Sequence, residues 1–130
     1  MEHNPVCWFE IYVQDMGRAK AFYEKMLGIE LSSLDLSSMP PDVPEMEMCG
    51  FPMRSERSGA TGALVRMPGC PSGANSVLIY FGCADCAVEA ARVADAGGKV
   101  FKEKFSIGQY GFIALVLDTE GNMVGLHSQK

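Results

Sequence analysis

A single carboxylate lies inside an otherwise apolar run near the start of the chain. Glu10 stands between Trp8 and Tyr12 in the run 8–13, which is typical of a β-strand. Side chains two residues apart on a strand share a face, so these three point the same way. Removal from water raises the pKa of a carboxyl group, and such a group is suited to general acid–base chemistry near neutral pH. Glu10 is therefore a candidate catalytic residue, with Trp8 and Tyr12 as candidate ligand-binding residues.

A second apolar run supplies a similar wall. Leu78 and Tyr80 share one face of the strand predicted at 76–81, and Met48 lies in a methionine-rich stretch in the middle of the chain. Apolar and aromatic walls with few polar groups are typical of small-molecule pockets, and methionine adapts to irregular gaps. Leu78, Tyr80 and Met48 are therefore candidate ligand-binding residues. For each of them, ordinary core packing is the alternative.

His127 is the second candidate catalytic residue. An imidazole donates hydrogen bonds and exchanges protons near neutral pH. Beside a carbonyl substrate, Glu10 would act as general base or acid, while Tyr12 or His127 donates a hydrogen bond. An exposed imidazole without a task is the alternative for His127, which lies close to the end of the sequence.

The elements that must position these residues occur twice. Asp15 and Asp85 each follow a strand-like run and are placed to cap a helix. Gly28 and Gly98 each lie 13 residues further on and are placed to end one. The spacing predicts helices at 16–27 and 86–96. The apolar stripes predicted for the two helices are Met16, Ala19, Tyr23, Met26 and Leu27, and then Ala87, Val88, Ala91 and Ala94.

Strands complete the repeat and give an α+β fold. They are predicted at 8–13, 29–31, 45–48 and 60–67, and again at 76–81, 99–105, 112–117 and 123–127, with a turn at 118–122. Each half is then a β-α-β-β-β module. We expect a single domain over 1–130, with module one at about 5–67, a linker at 68–75 and module two at about 76–130. A small molecule would bind in the cleft between the modules.

Bulk properties exclude some classes of protein. The net charge is −5, whereas a nucleic-acid binder needs a basic face. Neither an export signal nor a long apolar run is visible, so we expect a cytoplasmic protein with no membrane partner and five reduced cysteines. Cys83 and Cys86 form a Cys-x-x-Cys motif, but the thioredoxin context that would support redox chemistry is missing.

Two sequence segments resemble those of a known family. The first runs from Phe9 through Asp15 to Gly28, and the second from Gly111 through the turn at 118–122 to Leu126. Together they resemble the glyoxalase / bleomycin-resistance / extradiol-dioxygenase superfamily, also called vicinal oxygen chelate. The resemblance implies two tandem βαβββ modules that form an incomplete β-barrel around a cleft. It also implies a homodimer, as is common among such relatives.

Metal-dependent members of the superfamily hold a cation in that cleft. The resemblance carries their ligand positions onto Trp8, Leu78 and Gly125, with a fourth on the strand 62–66, and none of these offers a ligand. We therefore expect no metal and no other cofactor. A shifted site built on Glu10 and His127 is the remaining way to hold a cation.

The sequence thus predicts a glyoxalase-like protein that binds a small organic molecule without the family's metal. The alternative is a metal-independent or shifted-metal lyase or isomerase that acts on a small carbonyl substrate with Glu10 as general base. Arg66, Lys102 and Lys104 are the basic residues expected to border the cleft, where one of them would attract an anionic substrate.

Overall fold

The computed structural model describes residues 1–73, 77–117, 119 and 122–130, apart from the side chain of Met26. Within these residues the fold is one eight-stranded mixed sheet with two α-helices. The elements, in chain order, are β1 Val6–Tyr12, α1 Met16–Leu27, β2 Ser32–Ser33, β3 Glu47–Gly50, β4 Thr61–Arg66, β5 Val77–Gly82, α2 Cys86–Arg92, β6 Lys99–Ser106, β7 Phe112–Leu117 and β8 Met123–Ser128, with a short 3₁₀ turn at Gly108–Tyr110. Neither helix is long and apolar enough to cross a membrane.

The strand order is β2-β3-β4-β1-β5-β8-β7-β6. From either edge to the centre, the order within a module is the same: second, third, fourth and first strand. Each module pairs its first and last strands in parallel, β1 with β4 and β5 with β8. The two first strands meet antiparallel at the centre. The predicted α+β fold with paired β-α-β-β-β modules is confirmed. The sheet does not close into a barrel, as an incomplete barrel requires.

The central pairing shows the repeat at single-residue precision. Trp8 lies opposite Tyr80, and Glu10 opposite Leu78. A shift of 70 residues, the separation of Asp15 from Asp85, carries Trp8 onto Leu78 and Glu10 onto Tyr80. A pseudo-twofold axis therefore passes through the pair Phe9 and Ile79 between them.

The first helix follows the prediction. The Asp15 side chain accepts a hydrogen bond from the Arg18 amide, and the helix ends at Gly28 in the left-handed conformation (φ 65°). Met16, Ala19 and Tyr23 pack against the sheet, but Leu27 is 52 % exposed. The predicted inward position of Leu27 is therefore wrong, and Met26 lies outside the described side chains.

The second helix is shorter than predicted. Asp85 caps it as expected, but it ends at Arg92 rather than at residue 96. Gly98 does not end this helix: the chain turns at Gly97, which has φ 97°, and the Gly98 amide donates to the Val93 carbonyl at 2.9 Å. Cys86 and Ala90 are the buried residues of α2. The predicted inward set, Ala87, Val88, Ala91 and Ala94, is exposed.

One predicted strand is wrong and one predicted turn is only partly described. Residues 29–31 form no strand, because Ile29 and Leu31 fold back onto α1 and the Leu31 amide donates to Glu24 Oε2 at 2.8 Å. Pairing begins only at β2. The other strands shift by at most two residues at either end. The predicted start at Ser76 and most of the turn at 118–122 lie outside the described residues.

Both helices cover the same face of the sheet. The clusters under α1 and α2 take the side chains of Ile11 and Phe81 from the central strands. The opposite face carries Trp8, Tyr12 and Tyr80 together with apolar side chains of module two. We call this second face, which bears Trp8, Glu10, Tyr12, Leu78 and Tyr80, the cleft face.

Candidate functional site

Glu10 is the centre of the cleft face. Its side chain is only 8 % exposed. Trp8 Nε1 donates to Glu10 Oε2 at 3.2 Å, and the Tyr12 hydroxyl donates to Glu10 Oε1 at 2.9 Å. Tyr80, on the neighbouring strand, also lowers the pKa of Glu10 through its hydroxyl. Two aromatic donors therefore hold one buried carboxylate, and the Tyr80 hydroxyl is the third polar aromatic group beside it.

The pKa values of this group follow from its burial. Burial raises the pKa of Glu10, and the hydrogen bonds from Tyr12, Trp8 and Tyr80 offset only part of the rise. Burial also raises the pKa of both tyrosines, and the nearby Glu10 charge raises it further. Tyr12 and Tyr80 therefore remain protonated donors at neutral pH, and Glu10 is the group of this cluster that ionises first.

The raised pKa makes the stability contribution of Glu10 depend on pH. A carboxyl whose pKa is higher in the folded state favours folding most below its unfolded pKa of about 4.3, and this advantage is lost as the pH rises through the folded value. Compared with wild type, Glu10→Gln should therefore gain in free energy of unfolding between about pH 4 and pH 7, by about 1.4 kcal/mol for each pKa unit separating the two states. Denaturant melts across this range test the trend. The exposed Glu30→Gln is the control, and parallel curves for wild type and Glu10→Gln would contradict it.

The four positions that hold metal in metal-dependent relatives meet on the cleft face. β1 supplies Trp8 and β5 supplies Leu78. Gly125 lies opposite Tyr80 on β5, and Ala63 lies opposite Glu10 on β1. Because Glu10 and Tyr80 correspond in the two modules, Ala63 corresponds to Gly125 and is the fourth position. An indole, two aliphatic side chains and a glycine supply no metal ligand. The residues of this cleft therefore do not fit the family's cation, and the described residues contain no group of three or more His, Cys, Asp or Glu side chains that could hold a metal ion.

Tyr80 covers Gly125 on β8, one of the four positions at which the resemblance expects a metal ligand. A Cβ atom built on Gly125 would lie 2.2 Å from Cδ1 of the Tyr80 ring. The ring therefore lies directly on the Gly125 backbone, with its hydroxyl directed to Glu10. Gly125 makes room for this donor, which the sequence alone did not assign to Glu10. The 70-residue repeat, which relates Tyr80 to Glu10, is the signal in the sequence that could have indicated it.

The structure does not bring His127 to Glu10. β5 lies between β1, which carries Glu10, and β8, which carries His127. Glu10 pairs with Leu78 of β5 and His127 pairs with Gly82, four residues further along the same strand. Strand geometry then separates the two residues by roughly 15 Å. A single cation cannot bridge that distance, so the shifted metal site is wrong as a shared site. The His127 ring is instead hydrogen-bonded through Nε2 to the Tyr110 carbonyl at 2.6 Å.

The other predicted wall residues lie on the expected face. Leu78 and Tyr80 are buried and form a cluster with Ile113, against which Trp8 and Tyr12 pack. Met48 is half-buried and lies opposite Val65, on the same side of the sheet as Ala63. Four of the predicted residues, Trp8, Tyr12, Leu78 and Tyr80, thus surround Glu10, and Met48 lies two strands away from it in module one.

Only one of the three predicted basic residues faces the cleft. Arg66 forms an exposed ion pair with Glu47 at 2.6 Å, and Lys104 pairs with Asp85 at 2.8 Å beside the second helix. Lys102 lies opposite Leu115, which belongs to the cleft-face cluster, and its Nζ is 3.9 Å from the centre of the Phe105 ring. Lys102 is therefore the cation placed at the rim of the cleft face.

A strap at residues 35–38 links the two modules. It belongs to the connection between β2 and β3, at one end of the sheet, and contacts the 3₁₀ turn between β6 and β7, at the other end. The Tyr110 hydroxyl donates to the Asp35 carbonyl at 2.9 Å, and the backbone N–H of Gln109 donates to Ser38 Oγ at 3.1 Å. Gly108 has φ +69°, and a Cβ there would lie 2.2 Å from the Ser38 carbonyl oxygen.

Gly108→Ala should release the strap, because the added carbon and the Ser38 carbonyl cannot occupy the same space. We expect faster limited proteolysis within residues 35–44 and a loss of stability beyond that of a control. Gly69→Ala is the matched control: Gly69 also has a positive φ, but nothing lies within 4 Å of its Cβ position. The control carries only the backbone strain of about 1–2 kcal/mol. Equal cleavage rates in the two variants would contradict this role of Gly108.

The Cys-x-x-Cys pair is not arranged for redox chemistry. All five cysteines are unpaired, and Cys86 is fully buried in the core under α2. Burial raises the pKa of the Cys83 thiol to about 11, with nearby Glu89 adding to the rise. A thiol with a raised pKa is a poor nucleophile at neutral pH, since the thiolate is the reactive form.

Comparison with known proteins agrees with the geometry. A family profile described as bleomycin resistance protein-like N-terminal matches residues 6–39. Proteins named putative glyoxylase CFP32 from Mycobacterium bovis and Mycobacterium tuberculosis are 29% identical over 124 residues, which cover 92% of this chain and 42% of theirs. The chain therefore spans less than half the length of these curated relatives.

Solved structures share the fold at lower identity. Streptomyces coelicolor methylmalonyl-CoA epimerase (Q60A), in complex with 2-nitronate-propionyl-CoA, superposes with a TM-score of 0.66 at 20% identity and covers 96% of both chains. The Mycobacterium tuberculosis methylmalonyl-CoA epimerase gives a TM-score of 0.70 at 15% identity. The match covers 97% of this chain and 88% of the epimerase chain.

Paired βαβββ modules around an unclosed sheet define the class: this is the fold of the glyoxalase / bleomycin-resistance / extradiol-dioxygenase superfamily. The predicted resemblance is confirmed by the fold and by both sequence matches. The sequence is similar to bleomycin-resistance-like and glyoxylase-like proteins.

Proposed function

We propose that this chain binds a small organic molecule on the cleft face, with Glu10 as its principal polar contact and without the metal of metal-dependent relatives. The observation that carries the proposal is the buried Glu10 carboxylate with its aromatic donors Trp8 and Tyr12 and the Tyr80 hydroxyl beside it. Burying an ionisable group costs free energy, and groups with perturbed pKa values are concentrated at functional sites. Lys102 at the rim supports a ligand that carries negative charge.

Glu10 also supports a second candidate function, in which the bound molecule is a carbonyl compound that reacts. A raised pKa makes a carboxylate a stronger base, and a proton next to a carbonyl is a suitable target for it. Tyr12 is then the adjacent hydrogen-bond donor. His127 would act only on a part of the ligand that reaches the far end of the cleft face. Structural relatives in complex with CoA esters favour a carbonyl compound as the substrate class.

A thermal-shift screen with small carbonyl compounds and aromatic acids tests the proposal, because a compound that binds only the folded state raises the melting temperature. For a binding protein, Glu10→Gln should change affinity and neither form should convert a compound. For an enzyme, wild type should consume a compound that Glu10→Gln binds but leaves intact. Glu30→Gln serves as the control. A panel without a single compound that depends on Glu10 would contradict both functions.

The metal-free state has a separate test. The protein is purified without chelator, its metal content is measured by mass spectrometry, and hemithioacetal isomerisation is assayed with added nickel or zinc. We expect neither stoichiometric metal nor turnover, because the ligand positions carry Trp8, Ala63, Leu78 and Gly125. Stoichiometric metal together with turnover would contradict the proposal.

The proposal includes the organisation of the chain. Residues 1–130 act as one domain, with the modules joined at 68–75, and the protein works in the cytoplasm as a homodimer. Five unpaired cysteines support a reducing compartment. Phe101, on the edge strand β6, is 61 % exposed and supports contact with a second copy. Sedimentation of wild type and Phe101→Ser tests this, and a monomeric wild type would contradict the dimer.

A further inference from the structure

A cavity of about 570 Å³ lies away from Glu10, at the end of the sheet where β1 begins and β5 and β8 end. Its size falls within the range of small-molecule pockets. His3, Arg57 and His127 contribute its wall, so both histidines of the chain line one cavity. His127 was predicted to be functional from the sequence, whereas His3 and Arg57 were not.

The chemistry of the wall points to an anion. Of the acidic residues that the structure describes, none lines this cavity. Arg57 is exposed and forms no ion pair with any residue that the structure describes. The wall itself therefore presents the positive charge of Arg57, within a protein of net charge −5, and Glu89 is the carboxylate nearby, beside Cys83.

Both imidazoles are oriented by a backbone carbonyl. His3 Nδ1 is hydrogen-bonded to the Asn4 carbonyl at 2.7 Å, and His127 Nε2 to the Tyr110 carbonyl at 2.6 Å. Because a carbonyl only accepts, the bonded nitrogen carries the proton in each ring. The second nitrogen, Nε2 of His3 and Nδ1 of His127, is left for a ligand.

We propose that this cavity binds a phosphate group, separately from the ligand of the cleft face. Phosphate oxygens accept from the planar Arg57 guanidinium, which matches their geometry. The remaining phosphate hydroxyl donates to a free imidazole nitrogen of His3 or His127. Cys7 and Cys83 also line the cavity, and burial raises the pKa of both thiols, so they stay neutral and do not repel the anion.

Titration of the isotope-labelled chain with inorganic phosphate, followed by NMR at constant ionic strength, tests the site. We expect saturable shifts of the Gly82, Cys83 and His127 amides, with the Trp8 indole signal unchanged. Arg57→Gln should weaken phosphate binding at least about tenfold, the usual effect of losing a charged hydrogen bond of about 1.4 kcal/mol or more. Sulfate, which lacks the hydroxyl at neutral pH, should bind more weakly than phosphate.

Arg54→Gln is the matched control, because Arg54 lies on the same loop but lines a different pocket, beside Phe9 and Phe51. This variant should bind phosphate as wild type does. Absence of saturation, equal affinity of Arg57→Gln and wild type, or equal affinity for sulfate and phosphate would each overturn the assignment. None of these results bears on Glu10, so the proposed function of the cleft face stands or falls separately.

Discussion

Replacement of Glu10 by alanine is expected to lower the free energy of unfolding by about 3 kcal/mol or more. The truncation leaves a cavity on the cleft face and removes the acceptor of Trp8 Nε1 and of the Tyr12 hydroxyl. Each buried donor without an acceptor costs about 1–3 kcal/mol, although relaxation and water entry recover part of this. Denaturant unfolding at neutral pH measures the loss.

Glu30→Ala is the control for this change, since Glu30 is exposed and surface substitutions usually stay within about 0.5 kcal/mol. Glu10→Gln should remain much more stable than Glu10→Ala, because the amide oxygen still accepts hydrogen bonds and the side chain keeps its volume. A loss of under about 1 kcal/mol for Glu10→Ala would show that the carboxylate is not held by its two donors in a dry environment.

Replacement of Gly125 by alanine is expected to destabilise the protein by about 2–4 kcal/mol. The new methyl group overlaps the Tyr80 ring, which must rotate away and move its hydroxyl from Glu10. The reduced entropy of the unfolded chain would by itself favour alanine by about 0.5–1 kcal/mol, so a net loss reports the clash. Thermal or denaturant unfolding measures it.

Two further variants make this expectation specific. Gly17→Ala places the same methyl group on α1, where it would lie 3.7 Å from Oδ1 of Asp15, and should stabilise the helix by up to about 1 kcal/mol. In a Tyr80→Ala background, Gly125→Ala should cost much less, which a double-mutant cycle measures as coupling. Additive effects of the two substitutions would contradict the contact between the ring and Gly125.

The sequence predicted most of the architecture because local signals there agree with one another. Asp15 and Gly28 mark the two ends of α1, and the repeated strand–helix unit predicted two β-α-β-β-β modules. The predicted buried face of α2 was wrong for a physical reason. An alanine-rich helix is weakly apolar on several faces, so its pattern does not say which face is buried. The pattern assigns the end of the helix to Gly98, but its neighbour Gly97 is the residue with the positive φ at which the chain turns.

Part of the site followed from side-chain alternation alone. Trp8, Glu10 and Tyr12 lie together because a strand places alternate residues on one face. The separation of His127 from Glu10 depends on the register between β5 and β8, which is a property of long-range pairing. The cavity at His3 and Arg57 brings together segments far apart in the sequence, and no motif spacing links them.

The Trp8 indole Nε1–H signal in NMR spectra tests the central claim most directly. Trp8 is the only tryptophan of the chain, and its indole donates to Glu10 at the centre of the proposed site. We predict that compounds which raise the melting temperature in the screen shift this signal in wild type and bind with altered affinity to Glu10→Gln. If every stabilising compound leaves the Trp8 signal unmoved, the cleft face around Glu10 is not the binding site.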